Sequence, residues 1–413
     1  MSTTDRRDFL RQTAGAAMGL ALTPSLEHAM LRPRLSAEVR VGVIGCGRQG
    51  RAILTELAKI DDVVVAAVAD PVESRLSAGG RRARGANSYT GHAALLEGES
   101  NLDAVLVATP SHTHREVAEA ALSAGVHVYC ESPMATTLED GQALLAAARA
   151  SDKVFQVGMQ GRSNPVYQLA RSFWRAGAVR DAVSLRGQYH KKTSWVATAR
   201  NPADSEALNW RLNKDVSLGL LGEVGVQQFD VFHWFTGRYP VSVRGLGSIR
   251  LHRDGREVHD TVHCELTFDD GLTLEYGATL ANSLEQSYEL LHGTMGAIKL
   301  AWSHGWMFKE ADAPTQGWEV YANRQQFHNE QGITLIADAT QLAAQDKLKE
   351  GVGLPHPALY YPLVDFLKSI TEGSEVVCDA TEGLRAAGIG ILAHRAVTTG
   401  EEQAIDLSAL AGE

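Results

Sequence analysis

Cysteine is scarce in this sequence of 413 residues, and its four cysteines show no pattern. They are Cys46, Cys130, Cys264 and Cys378, far apart and without any Cys-x-x-Cys pair. Closely spaced cysteines are the usual mark of a zinc site or a disulfide framework. We therefore predict no metal site and no disulfide framework, and we expect four small buried thiols.

An excess of positive charge and long apolar runs are also missing. The formal net charge is −10, with 39 Lys and Arg against 49 Asp and Glu. A nucleic-acid partner is disfavoured, because an anionic backbone requires a basic protein face. No apolar run reaches the roughly 20 residues of a membrane-spanning helix. No transmembrane span is therefore expected, unless an N-terminal signal is retained as an anchor.

Residues 1–35 have the layout of an export signal. The pair Arg6-Arg7 is followed by Phe9-Leu10 and then by a weakly apolar stretch, residues 13–22. A charged head before a short apolar region is typical of signal peptides, and the arginine pair resembles the twin-arginine signal. We predict periplasmic export by that route, with a short amphipathic helix as the alternative. Residues 27–29 form a poor cleavage site, so the segment could remain as an anchor.

A strand, a glycine-rich turn and a helix are predicted in succession from residue 39. Residues 39–44 are rich in β-branched side chains, and residues 51–58 have helical spacing. Between them stands a G-x-G-x-x-G motif, which is informative in this context. Its glycines allow a tight turn, close approach of a diphosphate to the backbone, and close packing of the helix. The predicted coenzyme-binding turn is Gly45, Cys46, Gly47, Arg48, Gln49 and Gly50.

Asp70 favours NAD over NADP as the dinucleotide. It follows a predicted strand, residues 63–69, and lies twenty residues after Gly50. A carboxylate at this position accepts the adenosine-ribose hydroxyls and repels a 2′-phosphate. Arg75 lies close in sequence and could weaken that preference. A plain turn at Asp70-Pro71 is the alternative explanation.

The alternation of strands and helices continues to about residue 160. Strands are predicted at residues 103–109, 126–130 and 154–158, and helices at residues 115–124 and 138–150. This order predicts a doubly wound parallel sheet, a Rossmann domain over residues 38–160. Ligands bind beyond the carboxyl ends of such strands. The further residues predicted to contact the coenzyme are Thr109, Pro110, His114, Glu131 and Gln160.

A second α/β domain is predicted over residues 161–345. Its strand-like runs, with an Asp-Asp-Gly turn at residues 269–271, predict a mainly antiparallel sheet. They lie at residues 183–189, 241–251, 258–268, 272–280 and 297–302. Helices within residues 355–400 are predicted to pack back on the body. Trp302, Trp306 and Trp318 are more typical of a sheet core or an oligomer interface than of a ligand platform.

Together these motifs resemble the Gfo/Idh/MocA oxidoreductase family, which includes glucose–fructose oxidoreductase and inositol dehydrogenase. The matching residues are Gly45, Gly47, Gly50, Asp70, Ala108-Thr109-Pro110 with His114, and Glu131 with Pro133. The similarity continues through residues 158–165, 222–234, 357–370 and 382–396. The resemblance implies a Rossmann domain followed by an α/β domain with a large open sheet, often used in oligomer contacts. It also implies NAD(P)-linked chemistry on sugars, cyclitols or their derivatives, in a homo-oligomer.

Two positions depart from the family pattern. Members usually carry a substrate-contacting lysine just before the proline at Pro133, where this chain has Ser132. They commonly carry an acid/base histidine three residues before Asp230, where this chain has Gln227. Gln cannot exchange a proton near neutral pH, and Ser does so only beside a base. The usual lysine–histidine pair therefore cannot be carried over.

Other residues must then supply a base, because oxidising an alcohol releases the hydroxyl proton as the hydride leaves. Asp230 keeps the family's substrate-side carboxylate, and Glu223 is a further carboxylate in the same segment. The loop after residues 183–189 offers an imidazole, two ammonium groups and an aromatic platform, Trp195; a solvated basic turn is the alternative. The predicted catalytic residues are Asp230, Gln227, His190, Lys191, Lys192 and Ser132.

Three functions from different classes remain open. The first, and our main prediction, is NAD(P)-dependent oxidation of a sugar, polyol or glycoside derivative. The second is a redox-neutral enzyme with tightly held NAD, which oxidises a sugar carbon transiently, cleaves or eliminates, and returns the hydride. An exported location favours it, because the periplasm is not expected to supply NAD. The third is a coenzyme-bound binding protein without catalysis.

Overall fold

A computed structural model describes residues 34–316, 319, 322–336 and 353–407. The arginine pair of the predicted export signal and Trp318 lie outside these residues. None of the helices in the described ranges combines the length and the apolar character needed to cross a bilayer. All four cysteines are buried and free, as expected from their spacing.

Six parallel strands carry the first half of the chain. They are β1 (Arg34–Ile44), β2 (Asp61–Ala69), β3 (Asn87–Tyr89), β4 (Ala104–Val107), β5 (His127–Cys130) and β6 (Phe155–Val157). Their order in the sheet is β3-β2-β1-β4-β5-β6. All four residues of β4 are buried, because helices cover both faces of a parallel sheet. The predicted doubly wound parallel sheet is confirmed.

Five helices pack on this sheet. They are α1 (Arg48–Leu57), α2 (Glu73–Arg82), α3 (His92–Gly98), α4 (His114–Ser123) and α5 (Leu138–Ala150). α5 occupies the predicted residues, and the side chain of Thr137 caps it by accepting a hydrogen bond from the Asp140 amide. α1 begins after Gly47, which has no side chain to form such a cap. The amides at the start of α1 are therefore left for another partner.

Ten strands of the described residues form a second sheet. They are β7 (Ala182–His190), β8 (Ser242–Ser248), β9 (Thr261–Thr267), β10 (Thr273–Thr279), β11 (Ser287–Gly293), β12 (Gly296–Ala301), β13 (His304–Lys309), β14 (Arg324–Phe327), β15 (Glu330–Leu335) and β16 (Gln403–Ala404). Their order is β14-β15-β13-β12-β11-β7-β10-β9-β8-β16. β7 and β10 pair in parallel, and the other pairs are antiparallel. The predicted hairpin joins β9 to β10, and the prediction of a mainly antiparallel sheet is confirmed.

The later helices pack partly against the second sheet and partly against the first. They are α6 (Gln160–Ser163), α7 (Pro165–Arg175), α8 (Ser205–Leu208), α9 (Val226–Thr236), α10 (Tyr360–Thr371) and α11 (Ala380–Thr399), with a π-helical turn at Leu221–Gly225. α11 joins the two cores, since Leu384 lies in the core of the first sheet and Ala393 in that of the second. This packing brings the loops of the first sheet against the π-helical turn and α9.

Candidate active site

The loop between β1 and α1 requires glycine at two positions. Gly45 has a φ of +96°, and a Cβ there would lie 2.5 Å from the Ala108 carbonyl oxygen. Gly50 lies so close to the loop that its Cβ would fall 1.7 Å from the Gly45 oxygen. The Gly45 amide donates to the Ala69 oxygen at 2.8 Å and thereby joins the ends of β1 and β2. The tight turn and the close helix packing predicted from the motif are both present.

The same loop has the room and the donors that a diphosphate needs. A Cβ placed on Gly47 would have no protein atom within 4 Å, so the backbone here borders open space. α1 begins at Arg48, and its first turn holds no acidic side chain. Free amides and the helix dipole favour an anion at such an end. The loop therefore fits the diphosphate of a dinucleotide coenzyme.

Asp70 is fixed at the end of β2 by two backbone amides. Its Oδ2 accepts a hydrogen bond from the Cys46 amide at 2.8 Å, and its Oδ1 accepts one from the Val72 amide at 2.9 Å. Burial raises the pKa of this carboxyl group, while the two amides and Arg75 act in the opposite direction. The Cys46 thiol is buried, which raises its pKa to about 12, so this residue contributes its amide. Asp70 and Arg75 both line the crevice above the glycine turn.

The loops after β4 and β5 form the next part of the crevice, which Thr109, Pro110, Glu131 and Gln160 also line. His114 is buried between these loops, with Nδ1 2.8 Å from the Pro133 oxygen and Nε2 3.1 Å from the Thr109 oxygen. Burial lowers the pKa of the His114 imidazole, so the neutral ring donates to only one of these carbonyls. His114 therefore holds the two loops together, and it also lines the crevice.

Glu131 is a buried carboxyl group that faces the glycine turn. Gln49 Nε2 donates to Glu131 Oε1 at 2.9 Å and ties the turn to the end of β5. Burial raises the pKa of Glu131 to about 7. A carboxyl group with such a pKa changes its charge near neutral pH, which an ordinary glutamate does not.

Ser132 and Gln227 are hydrogen-bonded to each other in the crevice. Gln227 Nε2 donates to Ser132 Oγ and to the Gly158 oxygen, both at 2.7 Å. Gln227 Oε1 accepts a hydrogen bond from the Gln160 amide at 3.0 Å. Both hydrogens of the Gln227 amide are thus used, and Ser132 keeps its own hydroxyl hydrogen to donate. The pair is a fixed, neutral crosslink at the positions where the family usually has a lysine and a histidine.

Asp230 does not line the crevice, contrary to the catalytic role predicted for it. The residue is 2% exposed, and its carboxylate accepts hydrogen bonds from Arg162 Nε and Nη2 at 2.6–3.1 Å. Arg162 Nη2 also donates to Glu382 Oε2 at 2.7 Å. These three residues lie on α9, α6 and α11. Asp230 therefore joins helices, and its carboxylate is occupied by a guanidinium group.

The basic loop predicted to supply a lysine also lies elsewhere. Tyr189 of β7 lines the crevice, so the next residue, His190, lies on the opposite face of the sheet, beside Arg186 and His263. Lys191 and Lys192 are exposed and do not line the crevice. The two-residue alternation of a strand accounts for this difference: the sequence indicated a polar strand end, but not the face on which each side chain emerges.

Three aromatic side chains from the second half of the chain, which we call the aromatic wall, line the crevice: Tyr189, Trp195 and Trp302. A fourth, Trp210, lines both the crevice and an adjoining cavity next to Asp70. Trp302 has a φ of +54°, an unusual value for a residue other than glycine. Its amide donates to Tyr167 Oη at 3.1 Å, and its carbonyl accepts a hydrogen bond from Asn164 Nδ2 at 2.6 Å. This placement differs from the core or interface role expected for Trp302. Trp195 was anticipated as a platform, whereas Trp210 carried no recognisable pattern.

Glu223 is a further carboxyl group that lines the same crevice. It belongs to the π-helical turn, and its side chain is 6% exposed. Ser111 Oγ donates to Glu223 Oε1 at 2.8 Å, and Arg211 Nε donates to Glu223 Oε2 at 2.6 Å. Each oxygen keeps a second lone pair for another partner. Neither Ser111 nor Arg211 was predicted as a site residue.

Comparisons with known proteins agree with this geometry. Residues 39–159 match the family model described as an oxidoreductase family with an NAD-binding Rossmann fold, and residues 191–405 match its C-terminal alpha/beta domain. Levoglucosan dehydrogenase of Pseudarthrobacter phenanthrenivorans is 27% identical over 63% of this chain and 73% of its own length. Inositol 2-dehydrogenase of Corynebacterium glutamicum is 28% identical over 51% of this chain. The chain spans only 57% of the length of that second relative.

Solved structures share the fold over most of the chain. A levoglucosan dehydrogenase in complex with NADH and levoglucosan superposes with a TM-score of 0.70 at 23% identity, over 89% of this chain and 99% of that one. An aldose-aldose oxidoreductase from Caulobacter crescentus gives 0.69 at 20% identity, over 89% and 100%. Both domain models of the family match this sequence, one after the other. The chain therefore belongs to the Gfo/Idh/MocA oxidoreductase family and carries its NAD-binding Rossmann domain.

Proposed function

We propose that the protein oxidises a secondary hydroxyl group of a cyclic sugar or a related polyol, with NAD as the electron acceptor. One observation carries the proposal: a single crevice joins the glycine turn and Asp70 to the aromatic wall. Aromatic rings supply large apolar surface together with polar edges, which suits the C–H face of a sugar ring. The named substrates of the relatives, levoglucosan and inositol, support this class of compound.

The residues on the coenzyme side are suited to hold NAD. The amides of the glycine turn and of the start of α1 face the position of the diphosphate, and the Asp70 carboxylate can accept the ribose hydroxyls. When bound, NAD supplies the acceptor for a hydride from the carbon that bears the substrate hydroxyl. The negative charge at Asp70 supports the preference for NAD over NADP.

We assign the role of general base to Glu223. Three carboxyl groups described above line the crevice. Asp70 accepts two backbone amides and Glu131 is held by Gln49 of the coenzyme turn, whereas Glu223 comes from the second half of the chain, with Arg211 beside it. A base on this side can take the hydroxyl proton of a substrate that lies on the aromatic wall. Ser132, whose oxygen already accepts from Gln227, is oriented to donate a hydrogen bond to a substrate oxygen. It positions the substrate and exchanges no proton.

A panel of sugars, cyclitols and glycosides tests this function. The purified protein with added NAD should release NADH with at least one cyclic compound, measured by the absorbance of the reduced nicotinamide. Glu223→Gln should lower kcat by about a hundredfold or more, because a glutamine side chain cannot take the hydroxyl proton. Product without net NADH would replace the proposal with the redox-neutral cycle, and NAD binding without any turnover would favour a binding protein.

We also propose that copies of this chain form a homo-oligomer through the open face of the second sheet. Leu246 of β8 is 74% exposed and borders a groove that includes Arg186, His263 and Glu265. An apolar side chain exposed among charged residues is typical of contact surfaces. Light scattering on the eluting protein measures its mass, and a monomer at every concentration would contradict this proposal.

Export is a separate proposal, which rests on the arginine pair Arg6-Arg7. Replacing both arginines with lysine should retain the protein in the cytoplasm, because the twin-arginine pathway recognises the guanidinium pair. Cell fractionation of both forms measures the distribution.

A further inference from the structure

We propose that residues 195–216, which we call the strap, close over the bound coenzyme and slow its release, with Trp210 and Arg211 as coenzyme-contacting residues. The inference deepens the proposed function and rests on its assumption that NAD occupies the crevice. It concerns residues that lie outside the Rossmann half of the chain, so the G-x-G-x-x-G motif does not imply it.

The connection that contains the strap is long and mostly irregular. It runs from the end of β7 at His190 to the π-helical turn at Leu221, and α8 and two short 3-10 turns are its regular elements. Loops of this length without regular structure are uncommon in compact domains and are usually functional. This one is internally tied, because Asn209 Nδ2 donates to the Ala197 oxygen at 3.0 Å and the Ala197 amide donates to Asn209 Oδ1 at 2.8 Å. The strap is therefore an ordered loop.

Trp210 lies between two cavities that meet at the glycine turn. It lines the crevice described above and also an adjoining cavity beyond the end of β2. Asp70 lines both cavities as well. The adjoining cavity has Pro71 and His92 on the Rossmann side and Ala203 and Glu206 on the strap side. Because Asp70 marks the ribose, this second cavity is the expected place of the adenosine, and the strap supplies its outer wall.

Two contacts latch the strap to the Rossmann loop that follows β4. The rings of Trp210 and His112 meet edge to face, with centroids 5.6 Å apart. Arg211 pairs with Glu223, which in turn accepts the Ser111 hydroxyl. Since His112 and Ser111 are neighbours on that loop, both contacts close the strap at one point above the turn. A coenzyme lying below must wait for both contacts to open before it leaves.

The strap also adds positive charge where the diphosphate is expected. Arg211 lines the crevice together with Arg48 and Arg75 from the Rossmann half. Its guanidinium group lies 4.4 Å above the Trp210 ring, and its pairing with Glu223 engages Nε. Guanidinium groups bind phosphate oxygens strongly and with defined geometry. Arg211 is thus a second source of cationic contacts, on the side of the coenzyme opposite to the glycine turn.

The test measures nucleotide retention and needs no substrate. Wild-type protein passed through gel filtration should carry bound nicotinamide nucleotide in near-stoichiometric amount, measured by chromatography of the denatured sample. With the protein reloaded with NADH, the loss of its fluorescence on addition of excess NAD gives the release rate. Trp210→Ala should release NADH about tenfold faster, and Trp210→Phe should restore slow release. His112→Ala should also release it faster, because it removes one latch from the Rossmann side and leaves the strap sequence intact.

Trp306→Ala is the matched control, since Trp306 lies on β13 against Phe327 and does not line the crevice; its release rate should equal that of the wild type. If Trp210→Ala fails to fold, His112→Ala and Arg211→Gln carry the test. Fast release of NADH from the wild type, or unchanged NADH release in the strap variants, would overturn the proposal about the strap. Neither result would contradict the proposed function. Absence of any nicotinamide nucleotide binding would overturn the proposed function itself.

Discussion

Ser132 and Gln227 are neutral, and this determines which residues can exchange protons in the crevice. Because the Gln227 amide is fully engaged, it fixes the Ser132 oxygen as an acceptor and leaves its hydrogen to point elsewhere. The carboxyl groups that line the crevice are then the groups that exchange protons. Glu131, with its pKa raised to about 7, belongs to the Rossmann half of the crevice, and Glu223 comes from the second half of the chain.

The proposed preference for NAD over NADP depends on a single residue, Asp70. Asp70→Asn keeps the size of the side chain and removes the negative charge that repels a 2′-phosphate. The ratio of the NADP to the NAD dissociation constant should fall by about tenfold, a change of about 1.4 kcal/mol. Fluorescence titration with both reduced coenzymes measures this ratio.

The melting temperature of Asp70→Asn is the necessary control, because Asp70 also accepts the Cys46 and Val72 amides. A variant that melts earlier but keeps the wild-type coenzyme ratio would show that Asp70 only closes the turn. In that case the preference for NAD would need another source, and Arg75 would be the next residue to replace.

At the scale of elements, α6, α9 and α11 meet around a buried cluster of charges. Arg162 and Asp230 have side chains 7% and 2% exposed, and Glu382 completes the cluster. His233 Nε2 lies 3.1 Å from Glu382 Oε2, and its ring stacks on Tyr239. His233 thus serves helix packing.

Asp230→Ala should therefore act on stability and not on catalysis. Removing one partner of a buried ion pair leaves an uncompensated charge and should lower the free energy of unfolding by about 3–5 kcal/mol. Turnover per folded molecule should stay near the wild-type value. Asp269→Ala is the matched control, because its pair with Arg238 is exposed and should contribute at most about 1 kcal/mol. A large fall in kcat with unchanged stability would return Asp230 to the active site.

The elements that the sequence predicted well are those whose signals are local. The helix at residues 138–150 was placed correctly, since its apolar spacing lies within the helix itself and its cap, Thr137, directly precedes it. β14 and β15 were not predicted, because β14 consists of Arg324-Gln325-Gln326-Phe327 and presents mostly exposed polar side chains. β14 pairs with β15 across a turn of two residues, and its polar side chains show no alternation of apolar and polar positions that would mark a strand in the sequence.

The candidate site divides in the same way. Its Rossmann half follows from one short motif and from the rule that ligands lie beyond the strand ends, so Gly45, Asp70 and Glu131 could be named in advance. The other half depends on which face a strand residue occupies, as with Tyr189 and His190. It also depends on a long irregular loop, from which Trp210 enters the crevice. Neither feature has a local sequence signal.

At the scale of the whole molecule, each half of the chain buries a carboxyl group with a raised pKa. Glu131 belongs to the Rossmann half, and burial raises its pKa to about 7. Glu289 lies on β11, is 1% exposed, and has its pKa raised to about 7 by burial. Tyr167 Oη and Gln228 Nε2 donate to it at 2.6 and 2.7 Å, which limits that rise. Protonation of both groups is therefore linked to folding.

The sign of this linkage gives a prediction for the intact protein. In the unfolded chain these groups titrate near 4.5, so between about pH 4.5 and 7 the folded state binds more protons. Their contribution to the free energy of unfolding is complete below pH 4.5 and is lost as the pH rises through 7. Glu289→Gln should make the fall in the free energy of unfolding between pH 4.5 and 7 smaller by roughly 3 kcal/mol. The part of that fall due to Glu131 should remain. Urea unfolding at a series of pH values measures this change, with Glu275→Gln on β10 of the same sheet as the control. Equal pH slopes in wild type and Glu289→Gln would mean that the folded protein keeps Glu289 ionised at acid pH, held by Tyr167 and Gln228.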